Sequence, residues 1–125
     1  MTARQRVLTL AQLRDILVGL SLRRWEEEGW VVRPHLECKG KAAHEHEAIL
    51  AWLDEDEHVL HLHPHPSEKD QPVTRTILHE LVGHILLDLG SSTRDERLVE
   101  RLEGLLWPIL TRTQRKMLAN LVGSA

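Results

Sequence analysis

The 125-residue sequence predicts an α+β fold, in which a short antiparallel sheet formed by a hairpin packs with three to four helices. Two observations predict it. Apolar residues recur at helical spacing near the start of the chain and again from residue 73 onward, and short apolar or alternating runs lie between these regions. The sequence has no internal repeat and no linker, so we expect residues 1–125 to form a single domain.

The first helix is predicted over residues 9–25, where leucine and isoleucine side chains recur on one face and Thr9 is a suitable N-cap. Gly29 follows an acidic stretch and is expected to end or interrupt this helix. Residues 30–32 then have the composition of a strand, and Pro34 should restrict that strand to a sheet edge.

The hairpin is predicted from two short runs, residues 47–53 and 58–63, that flank an acidic turn at residues 54–57. The proline-rich segment 64–72 follows and is expected to be an exposed connection.

The remainder of the chain has the pattern of helices. One helix is predicted over residues 73–89, ended by Gly90 as its C′ residue. A second is predicted over residues 94–110, with its N-cap among residues 91–93, and a third over residues 111–122.

Composition excludes several classes of function. A formal net charge of −3 with scattered basic residues gives no general attraction to nucleic acid or to an anionic membrane. Cys38 is the single cysteine, so an intrachain disulfide is impossible, and the sequence shows neither a signal peptide nor a membrane span. We therefore expect a cytoplasmic protein. Nine histidines are unusually many for this length and suggest metal chemistry.

The segment of residues 76–87 carries the chemistry. On a helical wheel its apolar residues fill one side, whereas His79, Glu80, Gly83 and His84 fall together on the other. Two neutral imidazoles can bind a metal ion, and a carboxylate beside them can take a proton from water. The alternative is an amphipathic helix that carries these residues by chance, but the separate polar face favours a metal site.

The spacing of the two histidines departs from the common zinc motif. His79 and His84 are five residues apart instead of four, which leaves them about 140° apart around a regular α-helix. A local widening into a π-bulge would let both imidazoles reach one ion. Gly83 lowers the packing conflict at that point, so the five-residue spacing is compatible with a shared metal ion if the helix widens.

A third ligand is expected from the helix that follows. A short connection brings its first turns close to residues 80–84, and geometry leaves Glu96, Glu100 and Glu103 as candidates. Alternatively, all three belong to a solvated helix face paired with neighbouring arginines.

Residues 79–84, with the sequence HELVGH, resemble the HExxGH motif of the dipeptidyl peptidase III family of zinc peptidases. Residues 95–100, with the sequence DERLVE, are similar to the downstream acidic segment of that family. This resemblance implies that Glu96 is the third ligand and that Glu100 is a hydrogen-bond partner of a histidine. In size and order of elements the chain resembles compact phage and bacterial zincin-like domains related to the ImmA/IrrE peptidases, with a hairpin before the motif and an acidic helix after it.

The resemblance implies a small zincin-like domain that uses Zn²⁺, held by His79, His84 and Glu96, to hydrolyse a peptide or protein substrate, with Glu80 as the general base. His61 or His63 is a further candidate for stabilising an oxyanion, and the strand of residues 58–63 for pairing with an extended peptide. The alternative is a non-catalytic regulatory or partner-binding protein on the same scaffold, with a degenerate or purely structural metal site. The oligomeric state is left open by the sequence.

Overall fold

A computed structural model of the chain describes residues 7–34, 51–62, 73–90 and 92–123. These residues form α-helices and a three-stranded sheet, so the predicted α+β class is confirmed. The elements in chain order are α1 (Leu10–Glu28), β1 (Val31–Pro34), β2 (Ala51–Asp54), β3 (Val59–Leu62), α2 (Val73–Leu78), a π-helix (His79–Leu86), α3 (Thr93–Leu106), a 3-10 turn (Trp107–Ile109) and α4 (Arg112–Gly123).

Helix α1 begins after its predicted N-cap, Thr9, and continues three residues beyond the predicted range, to Glu28, where Gly29 ends it. The Thr9 hydroxyl accepts a hydrogen bond from the Gln12 backbone N–H, and the Gln12 side chain accepts one from the Thr9 N–H. This reciprocal pair is a capping box. At the other end Gly29 has φ 72°, a left-handed conformation that glycine adopts without steric cost.

The predicted hairpin is confirmed. Strands β2 and β3 pair antiparallel, and a carboxylate oxygen of Asp54 accepts hydrogen bonds from the backbone N–H groups of Asp56 and Glu57, at 3.1 and 3.0 Å. These bonds explain how an acidic turn closes the hairpin, since aspartate is suited to bonding the backbone N–H groups that follow it.

The position of β1 differs from the expectation of an antiparallel sheet. The strand order is β1-β3-β2, and β1 pairs parallel with β3. A parallel neighbour needs a long crossover, and residues 35–58 provide one. As predicted, β1 with its Pro34 lies at an edge. Strand β3 is central, however, so the suggestion that residues 58–63 pair with a peptide through a free edge is wrong for the described strand.

The hydrophobic core lies between one face of the sheet and the helices. The π-helix occupies its middle, because it packs against α1, α3 and β2. Burial of each large apolar side chain stabilises the fold by about 1.5–3 kcal/mol. The core side chains that are almost fully buried are Val18, Leu60, Ile77, Leu78, Leu81, Leu106 and Leu118.

The predicted helix over residues 73–89 is two elements. Helix α2 gives way to the π-helix at His79, and helical structure stops at Leu86. The prediction that Gly90 is the left-handed C′ residue is wrong, because Asp88 has that conformation, with φ 54°.

The last two helices follow the predicted order. The Ser92 hydroxyl accepts a hydrogen bond from the Asp95 N–H and caps α3, and Thr111 forms a reciprocal pair with Gln114 at the start of α4. Pro108 lies in the 3-10 turn between them, where its missing N–H is tolerated. Within the described part of the chain, no helix is both long and apolar enough to cross a membrane.

Candidate metal centre

The π-helix brings the two histidines of the motif together. Its wider coil is shown by the hydrogen bond from the Leu87 N–H to the Val82 carbonyl, which lies five residues earlier, at 3.1 Å. The ring centroids of His79 and His84 are 5.4 Å apart. The helix therefore has the local widening that a shared metal ion requires, and this widening makes two side chains five residues apart neighbours.

Gly83 allows α3 to approach this widened segment. A Cβ atom at position 83 would lie 2.3 Å from one γ-methyl of Val99 and 2.7 Å from the other. Val99 is buried, with 1% of its surface exposed. Glycine is thus required at position 83 by the close packing of two helices, and this contact holds the first turns of α3 over the histidines.

Helix α3 places Glu96 against both imidazoles. One carboxylate oxygen of Glu96 lies 2.6 Å from His79 Nε2, and the other lies 3.3 Å from His84 Nε2. One nitrogen of each histidine and one oxygen of the glutamate lie within 4.8 Å of one another. The structure therefore brings together the three residues predicted as ligands, and their binding of a metal stays a prediction.

The opposite nitrogen of each ring is held by an acceptor. His84 Nδ1 lies 2.6 Å from the Leu89 carbonyl oxygen, which has no proton to give, so Nδ1 must donate. His79 Nδ1 lies 2.7 Å from a carboxylate oxygen of Glu103. Burial raises the pKa of Glu103, but hydrogen bonds from His79 and Arg75 outweigh it and leave that pKa below its ordinary value. Glu103 is therefore an ionised acceptor.

In neutral rings, these bonds favour the tautomer with the proton on Nδ1. With hydrogen on Nδ1, both Nε2 atoms carry a bare lone pair, and both face oxygens of Glu96 that also carry only lone pairs. The arrangement is repulsive unless a cation lies among the three groups or the rings are protonated. Burial lowers the pKa of His79, but the surrounding carboxylates outweigh it and raise that pKa. The donor set fits a divalent cation such as zinc.

Glu80 is buried next to these three residues. Only 9% of its surface is exposed, and its carboxylate forms no hydrogen bond or ion pair with another described residue. Burial raises the pKa of Glu80 to about 7, a rise that Glu96 adds to and the two histidines oppose. A carboxylate with a pKa near neutrality can both accept and return a proton.

The histidine partner implied by the resemblance is wrong. Glu100 is exposed, and Glu103 holds His79 instead. Glu103 follows Glu96 by seven residues, which is close to two helical turns, so both lie on the face of α3 that meets the π-helix. Sequence reasoning missed Arg75, whose Nε donates to Glu103 from one turn before His79. The sequence does indicate this placement, because Arg75 precedes His79 by four residues and so lies on the same face of a helix.

The other described histidines lie outside this group. The imidazole of His61 stacks on Trp52 with ring centroids 4.8 Å apart, and the structure gives it no place among the three clustered residues. His58 stacks on Trp30, and its Nδ1 lies 2.5 Å from the Glu28 carbonyl oxygen, so both of these contacts are with α1 and the segment after it. His63 lies outside the described residues.

Comparisons of the chain with protein-family models, with curated proteins and with solved structures found no match. The features that indicate a function are therefore the geometry of this site and the motif of residues 79–84.

Proposed function

We propose that the protein is a zinc-dependent metallohydrolase in which His79, His84 and Glu96 hold the metal. The observation that carries the proposal is that both Nε2 atoms face one carboxylate while both Nδ1 atoms donate to fixed acceptors. Hydrogen bonds of this kind to the second ring nitrogen are a regular feature of histidines that bind metals. Three protein ligands are also the number found in catalytic zinc sites, where the fourth position is left for water or substrate.

A zinc ion in such a site lowers the pKa of a water molecule and polarises a substrate carbonyl. Glu80 is the residue that takes the proton from water, because it is buried, directly follows the first histidine, and interacts electrostatically with both histidines. The resulting hydroxide would add to the carbonyl carbon, and as the C–N bond breaks the protonated Glu80 would return its proton to the leaving amine. Glu103 and Arg75 act on His79, whose ring they hold in the orientation and tautomer that leave Nε2 free.

The substrate class follows from the motif. Residues 79–84 resemble the zinc-binding segment of peptidases, and we propose a peptide or protein as the substrate. The single cysteine, Cys38, excludes an intrachain disulfide and fits a reducing compartment such as the cytoplasm.

The metal is tested first, by elemental analysis of the purified, untagged protein and of His79→Ala and His84→Ala. We expect about one zinc per chain in the unchanged protein and a loss of zinc in both variants. An unchanged protein that takes up no zinc, even when zinc is supplied, would contradict the site.

Catalysis is tested separately with Glu80→Gln. This variant keeps the size of the side chain and removes its basicity, so it should bind zinc, keep its fold and lose hydrolysis of peptide substrates. Activity that survives the substitution would refute Glu80 as the base. The five-residue histidine spacing would favour a non-catalytic protein with a degenerate site if residues 79–84 formed a regular α-helix, but they lie in a π-helix. A purely structural zinc would leave no hydrolysis to lose.

A further inference from the structure

The π-helix ends in a reversed turn that is held to it by two backbone hydrogen bonds. The Leu87 N–H donates to the Val82 carbonyl at 3.1 Å, and the Leu89 N–H donates to the Gly83 carbonyl at 3.0 Å. Between them Asp88 has φ 54°. The Leu87 bond is the last i→i−5 bond of the π-helix. The Leu89 bond spans one residue more than the outer bond of a Schellman helix end, because the coil that it closes is π-helical.

Leu89 connects this turn to the metal site. Its N–H is bonded to Gly83, and its carbonyl accepts the hydrogen bond from His84 Nδ1 at 2.6 Å. A carbonyl oxygen cannot donate, so this contact keeps a proton on Nδ1 of His84 and leaves the lone pair on Nε2. Without such a contact, either nitrogen of a neutral imidazole can carry the proton. The direction of one peptide group thus determines which nitrogen of His84 can bind a cation.

We propose that Asp88 is a positioning residue of the metal site: its left-handed backbone conformation aims the Leu89 carbonyl at His84 and thereby fixes the tautomer in which Nε2 is free to bind metal. The inference rests on the proposed metal site for its functional meaning. Its structural content, the tautomer of His84, is measured without metal and without substrate.

The backbone of Asp88, and not its charge, carries this role. The side chain is exposed, and a carboxylate at the C-terminal end of a helix is disfavoured by the helix dipole. Aspartate and asparagine nevertheless tolerate the left-handed region better than other residues with a Cβ, and glycine adopts it freely. A β-branched residue is strongly disfavoured there. Substitutions at position 88 therefore separate backbone conformation from charge.

The test compares Asp88→Val with Asp88→Gly and Asp88→Asn. Nitrogen-15 NMR of the metal-free proteins, each made with Glu96→Ala so that no carboxylate competes for a proton at Nε2, reports the tautomer of each neutral histidine. Chelator competition reports zinc affinity in the same variants with Glu96 intact. In Asp88→Val we expect His84 to lose its exclusive Nδ1–H form and zinc affinity to fall by about 10- to 100-fold. The glycine and asparagine variants should match the unchanged protein. His79 is the internal control, since Glu103 holds its Nδ1 independently.

The proposal is overturned if Asp88→Val keeps the Nδ1–H form of His84, or if Asp88→Asn loses it. Should the valine variant fail to fold, Asp88→Ala imposes a milder penalty on the same backbone conformation, and a smaller shift of the His84 tautomer in the same direction is then expected. No shift in Asp88→Ala would overturn the proposal in that case. If the unchanged protein shows the expected tautomer but binds no zinc, the metal site fails while the positioning role of Asp88 stands.

Discussion

A methyl group at position 83 should disturb the protein more than any other change of similar size near the metal centre. The Cβ atom of Gly83→Ala would lie 2.3 Å from a Val99 γ-methyl, whereas carbon atoms in contact are normally about 3.5–4.0 Å apart. The gap must therefore open by more than about 1 Å. Val99 is β-branched and buried in a helix, so its rotamer cannot readily change, and α3 itself must move.

The expected magnitude follows from two opposing effects. Overpacking of a close-packed core costs typically about 1–3 kcal/mol, and a helix displacement of this size belongs at the upper end. Replacement of glycine by alanine in a helix stabilises the folded state by up to about 1 kcal/mol, which offsets part of this cost. We expect a net decrease of about 2 kcal/mol in the free energy of unfolding for Gly83→Ala. Glu96 and Glu103 flank Val99 on α3, so zinc affinity should fall as well.

The assay is urea unfolding followed by tryptophan fluorescence, with Gly104→Ala as the matched control. Gly104 is also in a helix, but nothing lies within 4 Å of the Cβ that it would gain, so its substitution should stabilise the protein slightly. In Gly83→Ala/Val99→Ala the two γ-methyl groups are gone, and the two losses should be less than additive. A Gly83→Ala protein as stable as Gly104→Ala would refute the close approach of α3 to the π-helix.

Two further predictions follow from the charged residues. Glu103→Gln should lower zinc affinity by about 10- to 100-fold, because an amide holds His79 less firmly than a carboxylate. Chelator competition measures this affinity, and it should be unchanged in the control Glu100→Gln, whose side chain is exposed. Equal losses of affinity in both variants would contradict Glu103 as the partner of His79. The pKa of Glu28 is lowered mainly by the hydrogen bond from the Trp30 indole and next by the one from Arg24. The ionised Glu28 carboxylate therefore stabilises the folded protein above the ordinary pKa of 4.5, and this stabilisation is lost as pH falls through the folded-state pKa. The difference in unfolding temperature between the unchanged protein and Glu28→Gln should shrink on acidification, and a constant difference would count against this ionisation.

The parts of the fold that the sequence predicts are those determined by neighbouring residues. Thr9 and Gln12 cap α1 through each other, and Gly29 ends it through its own backbone freedom. The hairpin turn depends on one aspartate, Asp54, and the N–H groups just after it. Each of these contacts spans at most a few residues, so a local pattern contains all the information that the contact needs.

The misplaced elements depend on distant parts of the chain. Strand β1 pairs parallel with β3, from which it is separated by residues 35–58 in the sequence. The residue pattern within either strand does not indicate whether the two strands run parallel or antiparallel. The choice between Glu100 and Glu103 is decided by the rotation of α3 against the π-helix, which Val99 fixes by packing on Gly83. Motif resemblance could indicate that an acidic residue holds a histidine, but only the packed helices show which one.

The additional residue between the two histidines connects these features. A four-residue spacing would put both rings on one face of an ordinary α-helix and would need no π-helix. With five residues, the coil must widen for the rings to meet, and the widened coil needs a helix end with longer hydrogen-bonded rings. That end places the Leu89 carbonyl on His84. The same segment presents Gly83 to Val99, which brings Glu96 to both rings. Two residues therefore accommodate the five-residue histidine spacing: Asp88, through the turn that ends the π-helix, and Gly83, through its packing against α3. Substitution of either residue should weaken the candidate metal site.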